Sequence, residues 1–528
     1  MPRSNRNDIL WIAIIATLAL AFSSIPNWVG YSAQNGRLAY KGIFFDAQDY
    51  AVHLSMLRAG MQGDWTYHFR FTSEPHQGAY TRLFYIALGQ ANRALELDPA
   101  LLFEVARWLF GYAALFAIYA LTKRVFQESL WQRAAFLLAV FGSGLGWLQL
   151  LFGWMPGPIT PIDFWLIDAY VFFGTALFPH FSFVTAALCL VFLLYLDFLD
   201  KGRWTRVAGI AVIAIFTQFV NPIAFVLVDL ALAAATLTVW IRAGKINRQH
   251  VLALGVIAVA QLPLLVYNFT LLNNDPVWSQ FTRQNETLSP PPVYYLWGFG
   301  LLWPLALVGL MDAVHQRRPA LLGAAIWIVT GLALAYSPFA IQRRFLHGVT
   351  IPLALLAAQG MMQVVQSLSR KYPAVARRAA SLAIVAVFLV SLSSVYLSLG
   401  RSMFLLTHPK EFFYPAALDP ALAWLDDNVA PDDFVLSAIP SGQLIAQKTN
   451  LRVYLGHPME TLDFEAKSRL VKDYYQGKSN PAWLETTAVR WVLYGPYERA
   501  LTGGADFPAA ELEIAYRSAE VVIYRVGK

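Results

Sequence analysis

One cysteine stands among 528 residues, and charged side chains make up only 14% of them. A lone thiol excludes an intrachain disulfide and any cysteine cluster for a metal. Cys189 falls inside an apolar run, where a thiol packs as a small hydrophobe. So little charge, set against 57% hydrophobic residues and a mean hydropathy of +0.47, excludes an ordinary soluble enzyme and a disordered chain alike. Internal repeats and low-complexity tracts are missing. So are P-loop, GxSxG and GxGxxG sequences in a fitting context, which removes phosphate-cradling loops and nucleophile elbows.

What is present is a series of about eleven apolar runs, each near the roughly 20 residues that cross a bilayer. They start at Ile9 to Pro26, continue through 101–122, 131–152, 181–199, 207–221, 223–241, 251–272, 294–314, 321–338 and 345–366, and end at 379–399. The first reads as a retained signal anchor, since Arg3 and Arg6 precede it and no small-residue cleavage pattern follows. Lysine and arginine recur in alternate connections: Lys123 and Arg124; Lys201, Arg203 and Arg206; Arg242, Lys245 and Arg248; Arg317 and Arg318; Arg370, Lys371, Arg377 and Arg378. Short cytoplasmic loops retain such residues. The expectation is a multi-pass plasma-membrane protein with a cytoplasmic amino terminus, and with residues 27–100 and everything after Leu399 outside. The formal charge of +7 is then a topology signal, and no nucleic-acid partner is expected.

The fold class implied is a mainly α membrane protein with a small C-terminal α/β soluble domain. Residues 1–400 form the polytopic module and 401–528 the outer-side domain. The first outer loop, about 27–100, is expected on the membrane surface, with an interfacial helix through Tyr80 to Leu97. Prolines and aromatics in 153–180 suit re-entrant or surface helices, and 273–292 reads as a lid-like segment. Beyond Leu399, LDPALAWLDDNVAPDDFVLSA reads as helix, turn and strand. LRVYLGH, VRWVLYGP and EVVIYRV read as further strands, with a helix over 464–475.

The stretch FFDAQDYAVH puts Asp46, Asp49, Tyr50 and His53 within eight residues of one another, just beyond the first apolar run. At about 100° per residue, a helix starting at Asp46 aligns Asp46, Tyr50, His53 and Leu57, with Asp49 on the shoulder. A solvated loop helix would carry the same charges, yet an ionisable cluster at the bilayer boundary is costly unless used. Arg343 and Arg344 in FAIQRRFLHG fall in an outer hairpin, where arginine should be scarce. Snorkelling to lipid phosphates explains such a pair. The sharper reading is a grip on the phosphate of a lipid-linked substrate, which a guanidinium holds by two parallel hydrogen bonds. His347, Glu74, His76 and His180 are further outer-side polar groups. No HxxxH or CxxC spacing occurs, so hydrogen bonding to substrate ranks above metal binding and no metal ligand is assigned.

The segments FFDAQDY, EPHQGAY, RLFYIALGQ, QRRFLHGVTIP, VYLGH and WVLYGPYER, with the layout of spans and outer domain, resemble the GT-C superfamily of membrane glycosyltransferases. The resemblance covers nearly the whole chain. It implies transfer of a sugar from a polyprenyl-phosphate donor to a hydroxyl of a glycan, lipid or protein acceptor on the non-cytoplasmic side, with inversion. It assigns the general base to Asp46, with Asp49 second, and the donor phosphate to Arg343 or Arg344. Tyr50, His53, Glu74, His76 and His180 become substrate-binding residues. The WWDYG-like motif and the Asp-Glu pair of some members are absent, which leaves the acceptor and any need for a divalent cation open. Two other classes stand beside it: a transporter or flippase for a lipid or lipid-linked sugar, with Asp229 and Asn221 as mid-span polar groups, and a non-catalytic membrane assembly subunit.

Overall fold

Apolar runs become helices because hydrocarbon offers the backbone no other hydrogen-bond partner. A computed structural model describes residues 6–371, 373–431, 433–479, 481–503, 507 and 512–527, with backbone alone for 371, 373–381 and 481–482. Arg3 and the side chains of Lys371, Arg377 and Arg378 lie outside the described residues. Among the described residues, six helices are long and apolar enough to cross a membrane: Arg6–Ala33, Pro99–Val125, Pro179–Lys201, Ala224–Ala243, Arg248–Asn274 and Thr350–Arg370. Three bent pairs raise the figure to as many as nine: Ser129–Phe141 with Gly146–Phe152, Pro292–Phe299 with Leu302–His315, and Leu382–Val390 with Ser393–Thr407. The runs expected at 207–221 and 321–338 are the shorter apolar helices Trp204–Gln218 and Pro319–Leu334.

Hydropathy alone leaves the bends unseen, because each broken pair passes as a single mainly apolar stretch. At the first break, a Cβ added to Gly144 would sit 2.2 Å from the Trp297 carbonyl oxygen, so only glycine lets these two backbones meet. At the second, Gly300 adopts φ +47° and the helices on either side diverge by 86°. Breaking a helix releases backbone groups, and here the breaks satisfy one another. Leu145 N donates to Trp297 O at 2.9 Å, Ser143 N to Ser391 O at 2.7 Å, and Ser394 N to Ser143 Oγ at 3.0 Å.

The chain forms two compact units, the first comprising Met1–Pro26, Glu104–Asn268 and Glu286–Arg401. The second comprises Asn27–Phe103, Phe269–Asn285 and Ser402–Lys528, so the first long connection folds with the C-terminal segment. Strand Leu38–Tyr40 pairs antiparallel with Phe413–Pro415. Among the described residues the C-terminal segment builds a five-stranded sheet in the order 452–453, 434–436, 489–494, 522–526, 512–517. The first three strands run parallel and the last two join by antiparallel pairing. Helix Phe464–Tyr475 lays Val471, Tyr474 and Tyr475 on Leu436, Val489 and Val492, which forms the core of this sheet. The first connection supplies helices Ala47–Met61 and Phe84–Leu95.

Candidate active site

Asp46 is the residue just before helix Ala47–Met61, and its carboxylate accepts from Asp49 N at 3.3 Å. Its backbone is left-handed, at φ 56° and ψ 55°. Aspartate tolerates that region better than most residues, but the conformation still costs on the order of 1–2 kcal/mol. Such a strained turn aims the carboxylate away from the path an ordinary helical residue would follow. The sequence pattern set Asp46 inside the helix on one face with Tyr50 and His53. In the structure the helix begins one residue later, and the face it shares is aromatic. His53 stacks on Tyr85 (4.3 Å, 18°), Tyr85 on Phe103 (5.7 Å, 3°), and Tyr50 meets Phe103 edge-on (4.9 Å, 87°).

Asp49, on the shoulder of that face, meets a residue far along the chain. Its Oδ1 lies 3.2 Å from Nε2 of His457, an imidazole that is 4% exposed. Nδ1 of the same ring accepts from the backbone N–H groups of Met459 and Glu460, at 3.1 and 3.3 Å. The ring therefore presents Nε2–H to Asp49. Burial disfavours the charged imidazole, but the hydrogen bond and charge of Asp49, followed by Glu460 and Asp46, outweigh it. His457 thus takes a second proton above its ordinary range, at the expense of the bonds that Nδ1 accepts.

Behind this pair, Glu460 accepts from Tyr67 Oη at 2.5 Å and from Arg82 Nη1 at 2.7 Å. The Arg82 guanidinium lies over the Tyr67 and Phe281 rings, and Arg82, like Asp46, is left-handed (φ 59°). Glu460→Ala is expected to cost about 2–4 kcal/mol, moderated by the partial exposure of Arg82, because it strands a buried phenol and a guanidinium. Thermal unfolding of the detergent-solubilised protein reads this directly. Glu460→Gln should lose less, since its amide still accepts from Tyr67, and an unchanged melting curve for the alanine variant would refute the assignment.

Glu74 and His76 serve the same unit differently. The Glu74 carboxylate pairs with Lys467 Nζ at 2.7 Å and accepts from the Thr72 hydroxyl. Burial raises this carboxyl, yet Lys467 and Thr72 prevail and hold it below the usual range. His76 accepts from Phe69 N through Nε2 at 2.9 Å, and its Nδ1 lies 2.8 Å from Glu74 O, so the ring staples its own loop. Burial keeps it below the ordinary imidazole value.

The arginines belong to the first unit. The turn Gln342–Leu346 is tied down by Arg343 N donating to Thr287 O (3.1 Å), and Gly348 N donates to Asp168 O (2.8 Å). Arg344 Nη1 lies 3.3 Å from Asp168 Oδ2, and the Arg343 guanidinium stacks 5.0 Å from the centre of the Trp165 ring. Asp168 and Trp165 both come from the connection 153–180, which is held as two short 3₁₀ turns and helix Val171–Leu177. His347 is buried, 3.1 Å from Thr185 Oγ1. His180 opens helix Pro179–Lys201 and packs on Phe178 and Phe181. Among the described residues no three His, Cys, Asp or Glu side chains gather as a metal site.

His457, Glu460, Arg82, Tyr67 and Asp168 were not singled out as polar partners from sequence. Nothing local marks them, because each pairs with a residue far away in numbering. VYLGHPME does hold both His457 and Glu460, and it is the one segment whose texture could have pointed to them.

No family model matches the chain, and no curated protein matches it in sequence. Solved structures match its fold over nearly its whole length. The shared fold is that of the three proteins named next, and among the described residues six helices, or up to nine with the bent pairs, are long and apolar enough to cross a membrane. ArnT from Cupriavidus metallidurans, bound to undecaprenyl phosphate, superposes with a TM-score of 0.54 at 14% identity, covering 98% of this chain and 99% of ArnT. The archaeal oligosaccharyltransferase AglB from Archaeoglobus fulgidus, in complex with an inhibitory peptide and a dolichol-phosphate, gives 0.53 at 12% identity, covering 99% of this chain and 75% of AglB. Arabinofuranosyltransferase AftD from Mycobacteria gives 0.55 at 14% identity, with 98% of this chain and 40% of AftD covered. At such identities the likeness is one of fold.

Proposed function

We propose that this chain is a membrane glycosyltransferase that moves a sugar from a polyprenyl-phosphate donor to an acceptor hydroxyl on the non-cytoplasmic side. The observation that supports it most is the likeness to ArnT over 98% of this chain, since that protein is bound to a polyprenyl phosphate. The chemistry follows from the residues. A carboxylate at the start of the first-loop helix, Asp46 with Asp49 as alternate, accepts the proton of the attacking hydroxyl as its oxygen reaches the anomeric carbon. The carbon–oxygen bond to the lipid phosphate breaks in the same displacement, inverting the centre. Arg343 or Arg344 stabilises the departing phosphate, which carries the charge. His457 orients Asp49 by donating Nε2–H to it. The amino terminus is cytoplasmic in this reading, and the acceptor is a glycan, lipid or protein.

A lipid transporter is the second reading. It draws on Asp229, a carboxylate within helix Ala224–Ala243 that accepts from Gln261 Nε2 at 3.0 Å, because ionisable groups inside spans mark transport paths. Proteoliposomes loaded with a radiolabelled polyprenyl-phosphate sugar and an extract of envelope acceptors separate the two. Label appearing on an acceptor supports the transferase; movement of intact labelled lipid between leaflets, with no transfer, supports the transporter.

A further inference from the structure

The second unit contains a cavity of about 560 Å³ whose lining takes in Tyr50, alone of the residues assigned to the substrate from sequence. Its size falls within the roughly 300–1,000 Å³ of small-ligand sites. One wall is the first-loop helix, through Tyr50, Leu54 and Arg58, spaced one turn apart. At about 100° per residue, Arg58 lies half a turn round that helix from Asp49. Asp49 and its partner His457 therefore face one way and the cavity another. Helix Leu418–Asn428 contributes the facing wall with Ala423, Asp426 and Asp427, and the strand pair 38–40 with 413–415 borders it.

The lining chemistry selects the ligand. Its cations are balanced by acids in pairs: Lys448 Nζ lies 2.6 Å from Asp419 Oδ1, and Arg58 Nη1 3.8 Å from Asp426 Oδ2. Lys41 Nζ instead donates to the Glu411 carbonyl at 2.7 Å. A phosphate would need surplus positive charge, which this cavity lacks. What it offers is a dense set of donors and acceptors: the Tyr414 hydroxyl donates to Asp419 at 2.9 Å while accepting from Lys448, and Gln34 and Gln447 add amides. Beside them Tyr31, 39% exposed, presents a ring braced edge-on by Tyr40 at 5.1 Å. Planar polar groups next to an exposed aromatic face match a pyranose, which has hydroxyls around its rim and an apolar C–H face.

We infer that this cavity is a saccharide-binding site, on the flank of the first-loop helix turned away from Asp49, that docks a short neutral glycan. Choosing a glycan over other polyols rests on the proposed glycosyl transfer, and the site would hold the acceptor or the elongated product.

The test uses the full chain in lipid nanodiscs, with methyl α-mannoside, maltose, lactose and cellobiose as probes in saturation-transfer difference NMR. At least one disaccharide is expected to bind. Ala423→Trp fills the cavity from an exposed position and should abolish that signal; Asp427→Ala, also exposed, should weaken binding at least threefold. Asp46→Asn should leave it intact. Absence of binding by every probe overturns the inference, as does binding that survives in a folded Ala423→Trp, or phosphatidylethanolamine occupying the cavity instead. Sugar transfer is assayed in parallel: binding without transfer supports the cavity and removes the enzymatic reading, whereas transfer without binding removes the cavity alone.

Discussion

Asp46→Asn is expected to lower sugar transfer by roughly 10²–10⁴-fold, the range of a lost general base, while leaving the melting temperature close to that of the wild type. Asparagine is the right replacement for a physical reason. It caps a helix as well as aspartate does and enters the left-handed region as readily, so the turn at φ 56° and the bond to Asp49 N can persist. Only the proton-accepting carboxylate is lost. Asp46→Ala would confound the result, because it also removes a cap worth about 1 kcal/mol. Asp49→Asn is the companion: it removes the carboxylate charge opposite His457 Nε2 and should reduce transfer less. Full turnover by Asp46→Asn, together with loss in Asp49→Asn, would move the base to Asp49; full turnover in both would take the carboxylates out of the mechanism.

The second large effect is expected at the arginine pair, where Arg343→Ala should reduce transfer by roughly 10²–10³-fold, comparable to deleting one donor to a developing anion. The two arginines are unequal tests. Arg344 faces Asp168, whose side chain is only 7% exposed, so its removal leaves a largely buried carboxylate uncompensated and weakens the fold as well. Arg343 stacks on Trp165, and losing that contact costs only about 0.5–1 kcal/mol. Arg343→Ala tests phosphate recognition together with that stacking contact, and Arg344→Lys keeps the charge opposite Asp168 while removing the planar fork. Measured against donor concentration, both should raise KM for the lipid-linked sugar and lower kcat. Wild-type kinetics in both variants would leave the pair as lipid anchors.

The parts of the molecule legible in sequence are those governed by local pattern. The run at 101–122 became helix Pro99–Val125, Tyr80 to Leu97 contained helix Phe84–Leu95, and the helix expected over 464–475 is Phe464–Tyr475. VRWVLYGP and EVVIYRV hold strands Val489–Tyr494 and Val522–Val526. Periodicity reports which face of an element avoids water, and that information is carried within one turn or one pleat. The run at 294–314 shows the limit. Its residues are apolar on both sides of the break, with Asp312 near the far end, so nothing in hydropathy distinguishes a straight span from two helices diverging by 86°; the cause is Gly300 and the close backbone approach at Gly144.

By itself the sequence determined that the chain carries a series of apolar runs of membrane-crossing length, where many of its helices fall, and that carboxylates and guanidiniums sit in the connections between those runs. Tertiary structure alone decided that Asp49 meets His457 across 408 residues, that Glu460 gathers Tyr67 and Arg82, and that Arg344 faces Asp168. The division has one cause: burial and helicity are set by neighbours three or four residues away, whereas a pair of polar side chains becomes worth its desolvation only after the chain has closed loops of any length around it.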